Sequence, residues 1–147
     1  MATFIAWLAT LAVTLSFLHI TADLTLFIDI PTLIFMMVSI YGLSVVIYGA
    51  QPTLQSIAHM KHLFLNKQQT NTLLSELYLS QIKLTVIIAI IGLSAGLLGF
   101  FFFYDNSSAA TGPALSVLMP LILYPAVLIG FIFYPLYKKL SYTNCIK

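Results

Sequence analysis

Few residues in this chain are of types that carry out chemistry, and their spacing does not assemble a catalytic or metal site. His59 and His62 lie three residues apart beside Lys61, but no acid or cysteine nearby completes a set of zinc ligands. The single cysteine, Cys145, has no neighbour that would activate its thiol. No carboxylate pair and no serine–histidine–aspartate set occurs at compatible positions. We therefore expect no enzyme activity, no metal site and no cofactor.

Small residues form the most regular pattern in the chain. They recur at spacings of four, three, four and three, at Thr85, Ala89, Gly92, Gly96 and Gly99. These spacings place them on one continuous helical face. Such a face lets another helix approach closely in lipid, where van der Waals contact drives association. The pattern predicts tight packing but leaves the packing partner open: the protein's own bundle, another copy or a different helix.

A second polar feature lies near the end of the chain. Pro120 and Pro125 fall inside an apolar run and leave the carbonyls of Ser116 and Leu121 without their usual N–H donors. Freed carbonyls persist at membrane depth only where protein or water satisfies them. Ser116, Pro120 and Tyr124 share one face, which predicts either contact with a polar cavity or partner, or a kinked helix packed in its own bundle.

Four long apolar runs would position these residues. The chain is 61% hydrophobic and 7% charged, with a mean hydropathy of +1.03, which excludes an ordinary soluble domain. The runs cover residues 2–20, 26–49, 84–104 and 113–137, and each can cross a bilayer as a helix. We predict an all-α polytopic membrane protein with four transmembrane helices, forming a single membrane domain over residues 1–147.

The charges predict how these four spans are oriented. All six basic residues are lysines, and they fall either in the long connection 50–83 or after the fourth span. The two short connections carry Asp23, Asp29 and Asp105 and no lysine. The positive-inside rule then places both termini and the long loop in the cytoplasm. A net charge of +2, with lysines beside membrane ends, gives no reason to expect a nucleic-acid partner.

Local signals add detail between the spans. Asp29 and Pro31 predict the start of the second helix, with the acid as N-cap and the proline in the first turn. The loop 50–83 has apolar residues at helical spacing on both sides of a polar centre, which predicts two short amphipathic helices at the interface. Trp7 is predicted to be an interface anchor near one end of the first span.

Three segments resemble one family. Residues 26–49, LFIDIPTLIFMMVSIYGLSVVIYG, are similar to the second span of the MotA branch of the MotA/TolQ/ExbB ion-channel family. Residues 112–140, GPALSVLMPLILYPAVLIGFIFYPLYKKL, resemble its last span without a gap. Residues 91–99, IGLSAGLLG, are similar to its glycine-rich span. The matches cover about two-thirds of the chain, and the order of the elements also fits.

The resemblance implies a function. In that family a homo-oligomeric ring surrounds the single-span helices of a MotB- or ExbD-like partner in the bacterial inner membrane. The resemblance implies a pentameric ring for this chain. An Asp on the partner's helix carries protons, and their flow is coupled to mechanical work. The last two spans line the pore, which makes seven residues the expected pore-lining or partner-facing set. They are Gly92, Ser94, Gly96, Gly99, Ser116, Pro120 and Tyr124.

The chain also departs from the family. Leu93, Leu121 and Ile122 stand where the family commonly has threonines that help to contact sodium, so sodium use is not expected. Ser94, Ser116 and Tyr124 are the remaining polar candidates for a proton path. The cytoplasmic loop is too short for the usual flagellar rotor contact. An alternative hypothesis is a non-conducting four-helix scaffold or assembly subunit of a larger membrane complex.

Overall fold

The computed structural model describes residues 2–21, 28–60, 72–102 and 118–141, and every element in these ranges is helical. The predicted all-α class is therefore confirmed for the described part of the chain. The elements in chain order are α1 (Ala2–Thr21), α2 (Ile30–Tyr48), α3 (Ala50–His59), α4 (Thr72–Phe102), α5 (Pro120–Val127), a π-helical segment (Leu128–Phe133) and α6 (Tyr134–Ser141).

Among the described residues, three helices are long and apolar enough to cross a membrane. They are Ile30–Tyr48, Thr72–Phe101 and the continuous helix Pro120–Ser141 that joins α5, the π-helical segment and α6. These helices identify a membrane protein. α1 lies where the first span is predicted and has a shorter apolar stretch, Ile5–Thr14, so a fourth span and the side of each terminus stay predictions.

The connection between the second and third spans differs from the prediction of two separate short helices. α3 occupies its first part, but α4 already begins at Thr72 instead of residue 84. No glycine or proline occurs in residues 72–91, and Leu74, Leu77 and Tyr78 are fully buried. The segment predicted to be the second loop helix is therefore the first part of α4.

A single glycine separates α2 from α3. Gly49 has φ +87°, a conformation that side chains with a Cβ rarely adopt. Its N–H donates to the Val45 carbonyl at 2.9 Å and so closes the last turn of α2. α3 then starts at Ala50, which brings its buried face against α4.

The core lies where α2, α4 and the last helix meet. Met36 and Ile40 of α2, Ile88 and Ala89 of α4, and Phe133 of the π-helical segment are buried together. Apolar burial gains little between helices in lipid, because the acyl chains are equally apolar. Close van der Waals contact is therefore what holds this core.

Prolines interrupt the last helix on both sides of the π-helical segment. Pro125 lies inside α5 and Pro135 in the first turn of α6. Since Pro135 has no N–H, the carbonyl of Phe131 lacks its α-helical donor. The indole N–H of Trp7 donates to this carbonyl at 3.0 Å. Trp7 therefore ties α1 to the π-helical segment, a contact that its predicted role as an interface anchor does not include.

Candidate partner-facing site

The row of small residues on α4 (Thr85, Ala89, Gly92, Gly96 and Gly99) packs partly against the protein's own bundle. A Cβ at Gly92 would lie 2.8 Å from Cδ2 of Leu121 and 3.4 Å from Cε1 of Phe35. A Cβ at Gly96 would come closer still to Leu118, just before α5. Gly92 therefore allows a close approach of α4 to both α2 and the last helix, and Gly96 allows a close approach to the last helix and to Leu118 before it. We call Gly92, Gly96, Phe35, Leu118 and Leu121 the glycine joint.

The small residues of this row differ in what they contact. Thr85 and Ala89 are buried, as the shared face predicts. Gly99 is different, because a Cβ there would meet no described residue within 4 Å. Of the packing partners that the sequence left open, Gly92 and Gly96 meet the protein's own bundle.

Ser94 lies on the other side of α4. Its side chain is exposed, and its hydroxyl donates to the Ile90 carbonyl one turn earlier at 2.8 Å. Two residues advance a helix by about 200°, so Ser94 faces away from Gly92 and Gly96. Exposed Ile87, Ile90 and Leu98 extend this outward face. The structure therefore does not bring Ser94 together with the two glycines that were predicted to line the same pore.

Tyr124 meets the start of α2. The backbone N–H of Asp29 donates to the Tyr124 hydroxyl at 2.6 Å, and that hydroxyl lies 3.3 Å from the Asp29 carbonyl oxygen, to which it donates. Asp29 is the N-cap residue of α2, and Pro31 lies in the first turn. The Asp29 carboxylate accepts a hydrogen bond from the Thr32 hydroxyl. One contact therefore joins a predicted pore residue to a predicted helix cap.

The predicted polar face of the last span turns inward where it is described. Pro120 is buried at the start of α5, and Tyr124 is half-buried against α2. Ser116 lies outside the described residues. The described part of this face therefore contacts the protein's own helices.

Two spaces adjoin these contacts. A cavity of about 70 Å³ lies beside Tyr124, between α2 and the last helix. An open groove of about 420 Å³ runs between α2 and α4. The groove is lined by Phe35, Val38, Ser39, Gly42, Leu43, Ile88 and Ile91. A Cβ at Gly42 would meet nothing within 4 Å, so the groove leaves room for a chain to approach α2.

Sequence reasoning missed a buried polar cluster between α3 and α4. We call its residues the polar joint: Thr53, Ser56, Tyr78, Gln81 and Thr85, each at most 2% exposed. The Tyr78 hydroxyl donates to the Ser56 carbonyl at 2.7 Å, and the Gln81 amide nitrogen donates to the Ser56 hydroxyl oxygen at 3.3 Å. The spacing of Tyr78, Gln81 and Thr85 along one face of α4 was the available signal.

The remaining candidates do not form a metal centre. Nδ1 of His59 lies 2.9 Å from the Gln55 carbonyl oxygen, and His62 lies outside the described residues. Across the described ranges there is no group of three or more histidine, cysteine, aspartate or glutamate side chains that could hold an ion. Glu76 and Lys83 of α4 are exposed.

No family model matches the chain, and no curated protein and no solved structure is significantly similar to it.

Proposed function

We propose that this protein is a subunit of a homo-oligomeric, pentameric membrane ring that surrounds a single-span MotB- or ExbD-like partner and couples proton flow to mechanical work. Its place would be the bacterial inner membrane, with both termini in the cytoplasm. One observation carries the proposal: the three segments that resemble the family pack on one another. Tyr124 bonds to Asp29, and Gly92 lies against Leu121.

The distribution of charge supports this proposal. No Asp, Glu, Lys, Arg or His occurs in residues 30–58, 84–102 or 118–137. Ionisable groups inside membrane spans mark ion pathways, and their absence here fits a subunit whose ion carrier belongs to the partner. An Asp on the partner's helix would supply it.

The geometry assigns different tasks to the predicted site residues. Gly92, Gly96, Pro120 and Tyr124 hold α4, α2 and the last helix together. We assign Ser94 and Gly99 to contact with the partner or the next copy, because Ser94 faces outward and a Cβ at Gly99 would meet no described residue within 4 Å. In the proposed ring, the outward face of α4 would be the face that turns to the partner.

Native mass spectrometry of the 16.3 kDa chain tests the proposal, with the chain expressed alone and with a single-span protein that carries an Asp in its helix. We expect a ring of identical copies that gains the partner on co-expression. Ser94→Trp should abolish partner retention while the ring persists. Val13→Trp on exposed α1 is the matched control and should retain the partner. A monomer, or equal retention in both variants, would contradict the proposal.

A non-conducting scaffold or assembly subunit is the second candidate. It is favoured by the use of Gly92, Gly96 and Tyr124 within the protein's own bundle, which leaves fewer groups for a conducting pore. This candidate predicts a monomer or a fixed one-to-one complex in the same mass spectra. It also predicts no proton flux across proteoliposomes that contain the assembled complex.

A further inference from the structure

One buried acceptor in the polar joint lacks a hydrogen-bond donor. The Gln81 side chain is fully buried, and its Nε2 donates to the Ser56 hydroxyl oxygen at 3.3 Å. Its Oε1 is also buried and has no hydrogen-bond partner within the described part of the protein. An acceptor left in this way costs free energy on folding, since it has given up its contact with solvent. A partner for Oε1 is therefore required.

The neighbouring hydroxyl groups cannot supply the missing hydrogen. Each already donates to a backbone carbonyl: Thr53 to Gly49 at 2.9 Å, Ser56 to Thr53 at 2.7 Å, Tyr78 to Ser56 at 2.7 Å and Thr85 to Gln81 at 2.7 Å. Their oxygen atoms keep free lone pairs. The polar joint is consequently rich in acceptors and poor in donors.

From this imbalance we propose that the polar joint binds one water molecule between α3 and α4. One O–H of the water donates to Gln81 Oε1, and the other donates to a hydroxyl oxygen of the cluster. Buried waters typically satisfy polar groups that would otherwise lack partners, and they need two to four hydrogen bonds to do so. The proposal concerns this joint alone and does not depend on the proposed ring.

The surroundings favour water over other donors. Gln81 and Thr85 are fully buried, which leaves no access for a side chain from another protein. A cation would need a counter-charge, because an isolated buried charge is strongly unfavourable. Among the described residues the carboxyl groups are those of Asp29 and Glu76; the first accepts a hydrogen bond from the Thr32 hydroxyl and the second is exposed. Reversing the Gln81 amide would turn its oxygen toward the Ser56 hydroxyl, whose hydrogen already goes to the Thr53 carbonyl, so the present orientation is the better hydrogen-bonded one.

A crystal structure of the full chain, at a resolution that places ordered waters, tests the proposal. We expect a density peak at a hydrogen-bonding distance of about 2.7–3.2 Å from Gln81 Oε1. The same peak should disappear in Gln81→Met, which keeps the length of the side chain but removes the acceptor. Rubidium-soaked crystals should give no anomalous signal there. No peak beside Oε1, a protein donor in its place or an anomalous rubidium peak would overturn the proposal.

The stability of the same variant gives an independent reading. If the water is bound, Gln81→Met removes its anchor and lowers the midpoint of unfolding in detergent. If Oε1 is dry and unpaired, the substitution removes an unfavourable group, so an unchanged or raised midpoint overturns the proposal. Gln55→Met, at an exposed position of α3, is the matched control and should leave the midpoint unchanged.

Discussion

The two joints on α4 hold the same helix by different means. The polar joint, near the start of α4, fixes α3 through hydrogen bonds from the Tyr78 and Gln81 side chains to Ser56. The glycine joint, further along α4, has no side-chain hydrogen bond among its members and depends on the missing side chains of Gly92 and Gly96. Polar contacts are therefore concentrated at one end of the helix, and close van der Waals contact operates along its apolar part.

The difference has a practical consequence. A joint made by close approach should respond to added volume, whereas a joint made by hydrogen bonds should respond to the loss of a single donor. Matched substitutions in the two joints can test this distinction, with the free energy of unfolding obtained from titration with a denaturing detergent.

Added volume in the glycine joint should have the largest effect. Gly96→Leu would drive a side chain into Leu118 and force the last helix away from α4. We expect a loss of stability of about 2–3 kcal/mol from overpacking. Gly99→Leu is the control, because no described residue lies within 4 Å of a Cβ at that position, and it should cost far less. Equal losses in the two variants would contradict the glycine joint.

Loss of a donor in the polar joint should follow. Tyr78→Phe keeps the ring but leaves the buried Ser56 carbonyl without the hydroxyl that donates to it. Since a buried unpaired group costs about 1–3 kcal/mol, we expect a loss of about 2 kcal/mol. Tyr134→Phe, at a half-exposed position, is the control and should change stability little. An equally small effect of Tyr78→Phe would argue against hydrogen bonds as the basis of this joint.

A smaller effect is expected at Tyr124, where a hydrogen bond and apolar packing occur together. Tyr124→Phe removes the hydroxyl that bonds to the backbone of Asp29, while the ring stays beside the small cavity. Because the contact is only half-buried, the loss should be about 1 kcal/mol. Faster amide exchange at the first turn of α2 would locate the effect. Tyr48→Phe serves as the control, and comparable exchange in both variants would contradict the assigned contact.

The smallest difference should separate two alanine substitutions. Gly42→Ala adds a methyl group where nothing lies within 4 Å, whereas Gly92→Ala brings that group against Leu121. Alanine favours helix over glycine by up to about 1 kcal/mol, so Gly42→Ala should stabilise the protein. In Gly92→Ala, the close contact of the new methyl group with Leu121 should cancel this gain in stability. If both variants are stabilised equally, Leu121 moves aside at little cost, and α4 and the last helix are not in tight contact at Gly92.

The glycine joint could be anticipated from the sequence, whereas the polar joint could be anticipated only on its α4 side, from the spacing of Tyr78, Gln81 and Thr85. The spacing of Gly92 and Gly96 predicts a close approach because glycine spacing and helix geometry are both local properties. Thr53 and Ser56 carry no such signal, since hydrophobic periodicity treats polar residues as solvent-facing. Their burial depends on the turn at Gly49 and on the early start of α4, which are set by tertiary packing.

The site residues also show which contacts the sequence could predict and which it could not. The family resemblance places Ser94 with Gly92 in the pore-lining set, although two residues of helix separate their faces by about 200°. That offset was available from the sequence. The bond between Tyr124 and Asp29, 95 residues apart, was not, because no local pattern relates the two positions.

The π-helical segment Leu128–Phe133 also changes how the last helix should be compared between proteins. Here hydrogen bonds join residues five apart, as from the Tyr134 N–H to the Ile129 carbonyl, and the wider turn accommodates roughly one extra residue. Each residue of an α-helix turns the helix by about 100°. One extra residue in the π-helical segment therefore shifts the helix faces, so residues beyond Phe133 do not lie on the face that α-helical spacing from Tyr124 would give. The helix can thus gain or lose a residue in evolution at this bulge, and a relative without it would be shorter by one residue yet keep both ends of its span in place.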